Sequence, residues 1–159
     1  MGYDRVVDFV TGAPTVRRPP FNFSAFARVW FSDTDAQGVV YYGRYLPYFD
    51  HARHEYHRHL GLLEVPGAEF VMRALAIEYE APARFDDLME VFVRTTRIGR
   101  TSVTTESAAY RTADDHLMCT ATSTLVLVDR ENRRPVPVPE PYRSVIGAFE
   151  ASDFGIPPG

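Results

Sequence analysis

Arg44-Tyr-Leu-Pro-Tyr-Phe-Asp-His-Ala-Arg-His-Glu-Tyr-His-Arg-His-Leu60 is the one stretch of the 159-residue sequence that reads as a long helix, and its isolation among strands decides the fold. Tyr45, Phe49, Ala52, Tyr56 and Leu60 recur at steps of 4, 3, 4 and 4, which puts them on one face, while Arg53, His54, His57 and Arg58 lie elsewhere. Gly61 stands where a helix C-cap is expected, so the helix should end there after about 25 Å. Before it, Ala25-Phe-Ala-Arg-Val-Trp-Phe31 alternates and is rich in aromatics, the pattern of a first strand. After it, Leu75, Ile77 and Tyr79 alternate with Ala76, Glu78 and Glu80. The segments 88–98 and 101–111 are rich in Val, Thr and Phe, with Gly99 marking a tight hairpin between them. The last strand, 116–129, alternates throughout, and one of its faces should meet the helix.

A doubly wound parallel sheet needs a crossover helix for nearly every strand pair. One helix among about five strands therefore predicts an α+β fold, an antiparallel sheet wrapped around a single long central helix. Such a sheet has two edges and one helix to cover it, and exposed edges are usually paired or blocked. The expectation is a homodimer joined edge to edge, pairing again to a homotetramer. Residues 25–130 form one domain, with no linker or repeat inside it. Residues 1–24, with Thr11-Gly-Ala-Pro14 and Arg17-Arg-Pro-Pro20, read as an extended arm. Residues 131–159, with prolines at 135, 137, 139, 141, 157 and 158, read as a peripheral tail with a short helix from Tyr142 to Phe149.

Composition narrows the function. Seventeen Lys+Arg against 21 Asp+Glu give a net charge of -4 with no basic block, which argues against nucleic-acid binding, since that affinity rests on neutralising phosphates. Apolar runs such as Leu125-Val-Leu-Val128 fall far short of the roughly 20 residues that span a bilayer, so no membrane insertion is expected. The start, Met1-Gly-Tyr-Asp-Arg5, carries an acid early and leads into no apolar run, unlike a secretory signal. A single cysteine permits no internal disulfide, and a cytoplasmic location follows as the expectation.

Chemistry concentrates in Phe31-Ser-Asp-Thr-Asp-Ala-Gln-Gly-Val-Val-Tyr-Tyr-Gly-Arg-Tyr45, between the first strand and the helix. Asp33 and Asp35 precede a helix start whose free N–H groups favour negative charge. A carboxylate beside such an end suits attack on an activated carbonyl, one group supplying the nucleophile or base and the other receiving the developing charge. Turn capping by the two aspartates, with Gly38 permitting a tight bend, accounts for the same spacing.

This run resembles the hotdog-fold thioesterases of the 4-hydroxybenzoyl-CoA thioesterase type, and especially their Tol-Pal-associated acyl-CoA thioesterase branch. Asp33-Thr-Asp-Ala-Gln-Gly-Val-Val-Tyr-Tyr42, Arg44-Tyr-Leu46 and Phe49-Asp-His-Ala-Arg-His-Glu-Tyr56 carry the resemblance, which extends from about Ala25 to about Asp129. The resemblance implies hydrolysis of an acyl-CoA thioester to a free acid and CoA, without metal or organic cofactor, at a site lying on a subunit interface. Asp35 falls where the family has its catalytic carboxylate, acting as nucleophile or as general base for water. The Tyr42 backbone N–H falls where the family polarises the thioester carbonyl, with Gly38, Val39 and Tyr41 against the substrate. Many Tol-Pal-associated members carry histidine in place of Tyr42, whereas the hydroxybenzoyl branch carries tyrosine, as here. An acyl-carrier-protein thioesterase releasing a fatty or polyketide chain, and a non-catalytic acyl-binding hotdog protein, are the alternatives. Retention of Asp35 argues against the binder, because an unused buried carboxylate costs several kcal/mol unless it is hydrogen-bonded.

Weaker candidates are read as structural. His51, His54, His57 and His59 crowd the helix, but His54-Glu55-Tyr56-His57 has spacing three where a zinc-protease motif needs four, so a polar face turned to solvent or a neighbour is the simpler account. Glu55 shares that helix, where related hotdog enzymes place a catalytic glutamate, yet in the aspartate-type branch it is commonly structural. Cys119 reads as a small buried hydrophobe. Ser32 and Ser102 lack a nucleophile-elbow motif. The four tyrosines at 41, 42, 45 and 48 suit either an aryl-binding pocket or core packing. Arg84, Arg97, Arg100, Arg133 and Arg134 are candidates for meeting CoA phosphates, with none assigned.

Overall fold

The helix forms as α1, Tyr45–His59, within one residue of its expected ends, in a computed structural model that describes residues 11–151. Tyr45, Phe49, Ala52 and Tyr56 are buried as the spacing requires, joined by Tyr48 and His57. Gly61 ends it with φ 71°, its N–H donating to the Arg58 carbonyl while Leu62 N–H reaches back to His57.

Around α1 lie β1 (Gly12–Arg18), β2 (Phe21–Arg28), β3 (Ala68–Tyr79), β4 (Leu88–Ile98), β5 (Ser102–Arg111) and β6 (His116–Asp129). They form one sheet in the order β1-β2-β4-β5-β6-β3, every pair antiparallel. The sheet thus has six strands where about five were expected. The added strand is β1, inside the segment read as an arm; its Pro14 is tolerated because β1 is an edge. The first predicted strand also sits earlier, over Phe21–Arg28 rather than 25–31. It stops where the Asp33 carboxylate takes the Trp30 N–H and turns Phe31–Asp33 into a short 3₁₀ helix.

The core is closed by Phe23 and Ala25 of β2, Met89, Val91 and Val93 of β4, Val103 of β5, and Met118, Cys119 and Leu127 of β6. The helix lies against β1, β2 and β4. The tail folds onto the body: Val136 N–H donates to Leu127, Val138 N–H donates to Arg100, and α2 (Glu140–Glu150) follows. Tyr142, Ile146 and Glu150 are buried, so this part of the tail is not peripheral. Its prolines do not prevent the helix because Pro141 lies in the first turn, where no N–H is missed.

Candidate active site

The segment between β2 and α1 folds as a small hairpin. Tyr41 N–H donates to the Asp33 carbonyl at 2.9 Å, Thr34 bridges Val40, and Asp35 N–H donates to the Val39 carbonyl at 2.9 Å. At its tip Gly38 N–H returns to the Asp35 carbonyl with φ +76°, a conformation that L side chains rarely adopt. A second strip fixes the outer arm: Val39 bridges Arg84, and Val40 N–H donates to Ala83.

This hairpin separates the two aspartates that spacing left equivalent. Asp33 accepts from the Trp30 N–H and from the Tyr48 hydroxyl, so its carboxylate anchors the loop to α1. Asp35 spends Oδ1 on the Gln37 N–H at 2.8 Å, an Asx turn, and no protein donor among the described residues meets its other oxygen. It is half-buried. One aspartate is therefore structural, and the other presents a free oxygen.

Past the hairpin, Tyr42–Arg44 makes a 3₁₀ turn that leads into α1. Arg44 N–H donates to the Tyr41 carbonyl at 2.8 Å, which orients the peptide carrying the Tyr42 N–H; no protein acceptor among the described residues meets that N–H. Tyr41 and Tyr42 are exposed, their ring centroids 4.3 Å apart. A cavity of about 290 Å³ adjoins the turn, lined by Val40, Tyr42, Tyr45, Tyr79 and Pro82. Tyr45 and Tyr48 are core residues, buried with hydroxyls on the Ala83 N–H and on Asp33, whereas Tyr41 and Tyr42 face out. A second cavity, about 220 Å³, opens between Leu46 and Phe49 of α1, Met72 and Leu75 of β3, and the hydroxyl-bearing Thr105, Ser107 and Ser123.

The histidine reading needs one correction. His57 is not on a polar outer face: α2 covers it, and its Nε2 lies 2.8 Å from the Tyr142 hydroxyl. Burial first, then the Arg53 and His54 charges, pushes it down to about 3. Among the described residues no three His, Cys, Asp or Glu side chains gather to hold a metal ion. Glu55 pairs with Arg58 along the helix. Cys119 is buried at the core, and desolvation pushes its thiol up to about 12, which suits a packing residue rather than a nucleophile. Two contributors escaped the sequence reading: Tyr48 as the anchor of Asp33, and Tyr79, whose hydroxyl donates to the Tyr42 carbonyl at 2.8 Å. Tyr79 showed only as one residue of an alternating strand.

A family profile described as the thioesterase-like superfamily matches residues 29–146, from the end of β2 into α2. The chain belongs to that superfamily. Within this thioesterase-like superfamily it is 35% identical over 127 residues to the acyl-CoA thioesterase YbgC of Haemophilus influenzae, covering 77% of this chain and 92% of the relative. It is 33% identical, with the same coverage, to the acyl-CoA thioester hydrolase YbgC of Escherichia coli. Among solved structures, a thioesterase-superfamily protein of Jannaschia superposes with TM-score 0.77 at 23% identity, covering 84% of this chain and 86% of that one. The 1,4-dihydroxy-2-naphthoyl-CoA thioesterase of Synechocystis superposes with TM-score 0.71 at 21% identity, covering 77% and 93%. These likenesses establish the hotdog fold of this thioesterase-like chain.

Proposed function

We propose that this chain is a thioesterase that hydrolyses an acyl-CoA to a free acid and CoA at the hairpin before α1. The observation that carries the mechanism is that Asp35 keeps one carboxylate oxygen without a protein partner, on the loop that leads directly to the unbonded Tyr42 N–H. The Asp35 carboxylate either attacks the thioester carbon itself or takes a proton from a water whose oxygen supplies the electron pair. The Tyr42 N–H, at the positive end of the turn and helix, receives the charge that grows on the carbonyl oxygen. Collapse breaks the carbon–sulfur bond, and CoA leaves as the thiolate and takes up a proton; the general-base route gives the carboxylic acid at once, whereas direct attack leaves an acyl–Asp35 anhydride that a water then cleaves to the acid and the free Asp35 carboxylate. Gly38 permits the bend that brings the second arm back, with Val39 and Tyr41 flanking the substrate. The YbgC relatives are named for CoA thioesters, which supports CoA over a carrier protein and turnover over simple binding.

The active unit in this reading is a homodimer joined through β3, with further pairing to a tetramer. Of the two sheet edges, β1 carries Pro14, Arg17 and Arg18, which discourage pairing, whereas β3 has no proline and exposes Met72 and Leu75. The cavity beside Leu75 and Met72 opens on this side.

Thiol release from short, long, branched and aromatic acyl-CoAs, measured for wild type and Asp35→Asn, tests the reaction. Asp35→Asn should lower kcat by about 10²–10⁴-fold while fold and assembly persist. Full turnover in that variant would remove Asp35 from the mechanism. Label found in Asp35 after a single turnover in ¹⁸O-water establishes the anhydride route with water attacking the Asp35 carbonyl carbon.

A further inference from the structure

We propose that Tyr79, at the end of the edge strand β3, is a positioning residue for the oxyanion turn and acts through the Tyr42 peptide. The inference rests on the reading of the Tyr42 N–H as the carbonyl-polarising donor. Tyr42 is 64% exposed, so burial does not fix it, and Gly43 follows with no side chain to resist rotation. The Arg44 N–H to Tyr41 carbonyl bond orients the peptide on the N-terminal side of the Tyr42 Cα. On the other side, the Tyr79 hydroxyl donates to the Tyr42 carbonyl at 2.8 Å. The two bonds together clamp both peptides of Tyr42 and so aim its N–H.

Of the phenols around the helix start, Tyr45 and Tyr48 are committed to the Ala83 N–H and to Asp33, leaving Tyr79 to reach the turn from another element. Its ring is braced edge-on against Tyr45, with centroids 5.7 Å apart. Its backbone is held by register with Cys119 of β6. The donor is therefore preorganised by the sheet. A preorganised N–H needs no reorganisation when charge appears on the substrate oxygen, which is where an oxyanion donor gains its effect.

Tyr79→Phe tests this, since it keeps the ring, the contact with Tyr45 and the strand while removing only the hydroxyl. On the acyl-CoA that wild type hydrolyses fastest, kcat should fall about threefold to tenfold, the size of one neutral hydrogen bond felt in the transition state, with KM and thermal midpoint unchanged. Amide exchange over residues 41–45 should speed up while β6 stays protected. Unchanged kcat, or a fall in kcat that only tracks a lower thermal midpoint, overturns the proposal. So does unchanged exchange at 41–45, a readout that holds even if no thioester is turned over. Wild type that hydrolyses acyl-CoA, with an inactive Asp35→Asn and a fully active Tyr79→Phe, refutes the role of Tyr79 and leaves the thioesterase reading standing.

Discussion

His57 and Glu150 are buried ionisable groups that the proposed reaction does not use, and they pull stability in opposite directions with pH. The folded chain holds His57 down to about 3, whereas unfolded histidine titrates near 6.5. Below about 6.5 the unfolded state takes up a proton that the folded state refuses, so the His57 contribution is full above that pH and is lost as pH falls. The loss approaches about 1.4 kcal/mol per pH unit. Glu150 is raised by desolvation, with the Tyr56 hydroxyl and the Thr95 N–H opposing the shift. Its folded form prefers the proton, so its contribution is present at low pH and fades as pH rises through the folded value. Chemical denaturation at pH 7 and pH 5 should show His57→Gln with a shallower acid loss than wild type. Equal slopes would contradict a neutral buried His57. At this same scale, spacing alone did not part Asp33 from Asp35; the family resemblance pointed to Asp35, and the Trp30 N–H and the Tyr48 hydroxyl, brought in by folding, mark Asp33 as the structural one.

At the scale of elements, α1 was legible because its apolar residues keep the 3.6 period for four turns and Gly61 closes it. Both ends of the described chain were less so, through proline: it hid β1 altogether, and it made the expected helix of Tyr142–Phe149 read as peripheral although a missing N–H costs little at an edge or in a first turn. Pro14 sits in β1 at the sheet edge, and Pro141 sits in the first turn of α2. The signal that could have given α2 its weight was the spacing of Tyr142, Ile146 and Phe149, which places three apolar residues on one face. Ile146 is fully buried, so Ile146→Ala should cost about 2–5 kcal/mol in denaturant unfolding, with kcat per folded molecule unchanged. A cost below about 0.5 kcal/mol would mean that α2 is an appendage rather than part of the core.

At the scale of the molecule, the proposed dimer rests on what α1 leaves uncovered. α1 lies on β1, β2 and β4, while β3, at the other end of the sheet, exposes Met72, Leu75 and Tyr79. A charge placed there should prevent pairing. Leu75→Asp is expected to sediment as an 18.0 kDa monomer with little activity, and wild type should lose specific activity on dilution as its dimer dissociates. Wild type that sediments only at 18.0 kDa yet hydrolyses acyl-CoA would exclude the dimer as the active unit. Topology made this edge readable only in part: the alternation of β3 is plain, but its place beside β6, remote in sequence, is not written in either strand alone.

That remoteness also bears on how the chain is made. The strand partner of β3 lies about 40 to 60 residues downstream, so at a synthesis rate of about 5–20 residues per second β3 waits about 2–12 s for β6. Throughout that interval β3 has no strand to pair with, because β6 is its one neighbour among the described residues of the sheet. The edge strand β3 is thus the one left longest without any strand partner while the chain is made.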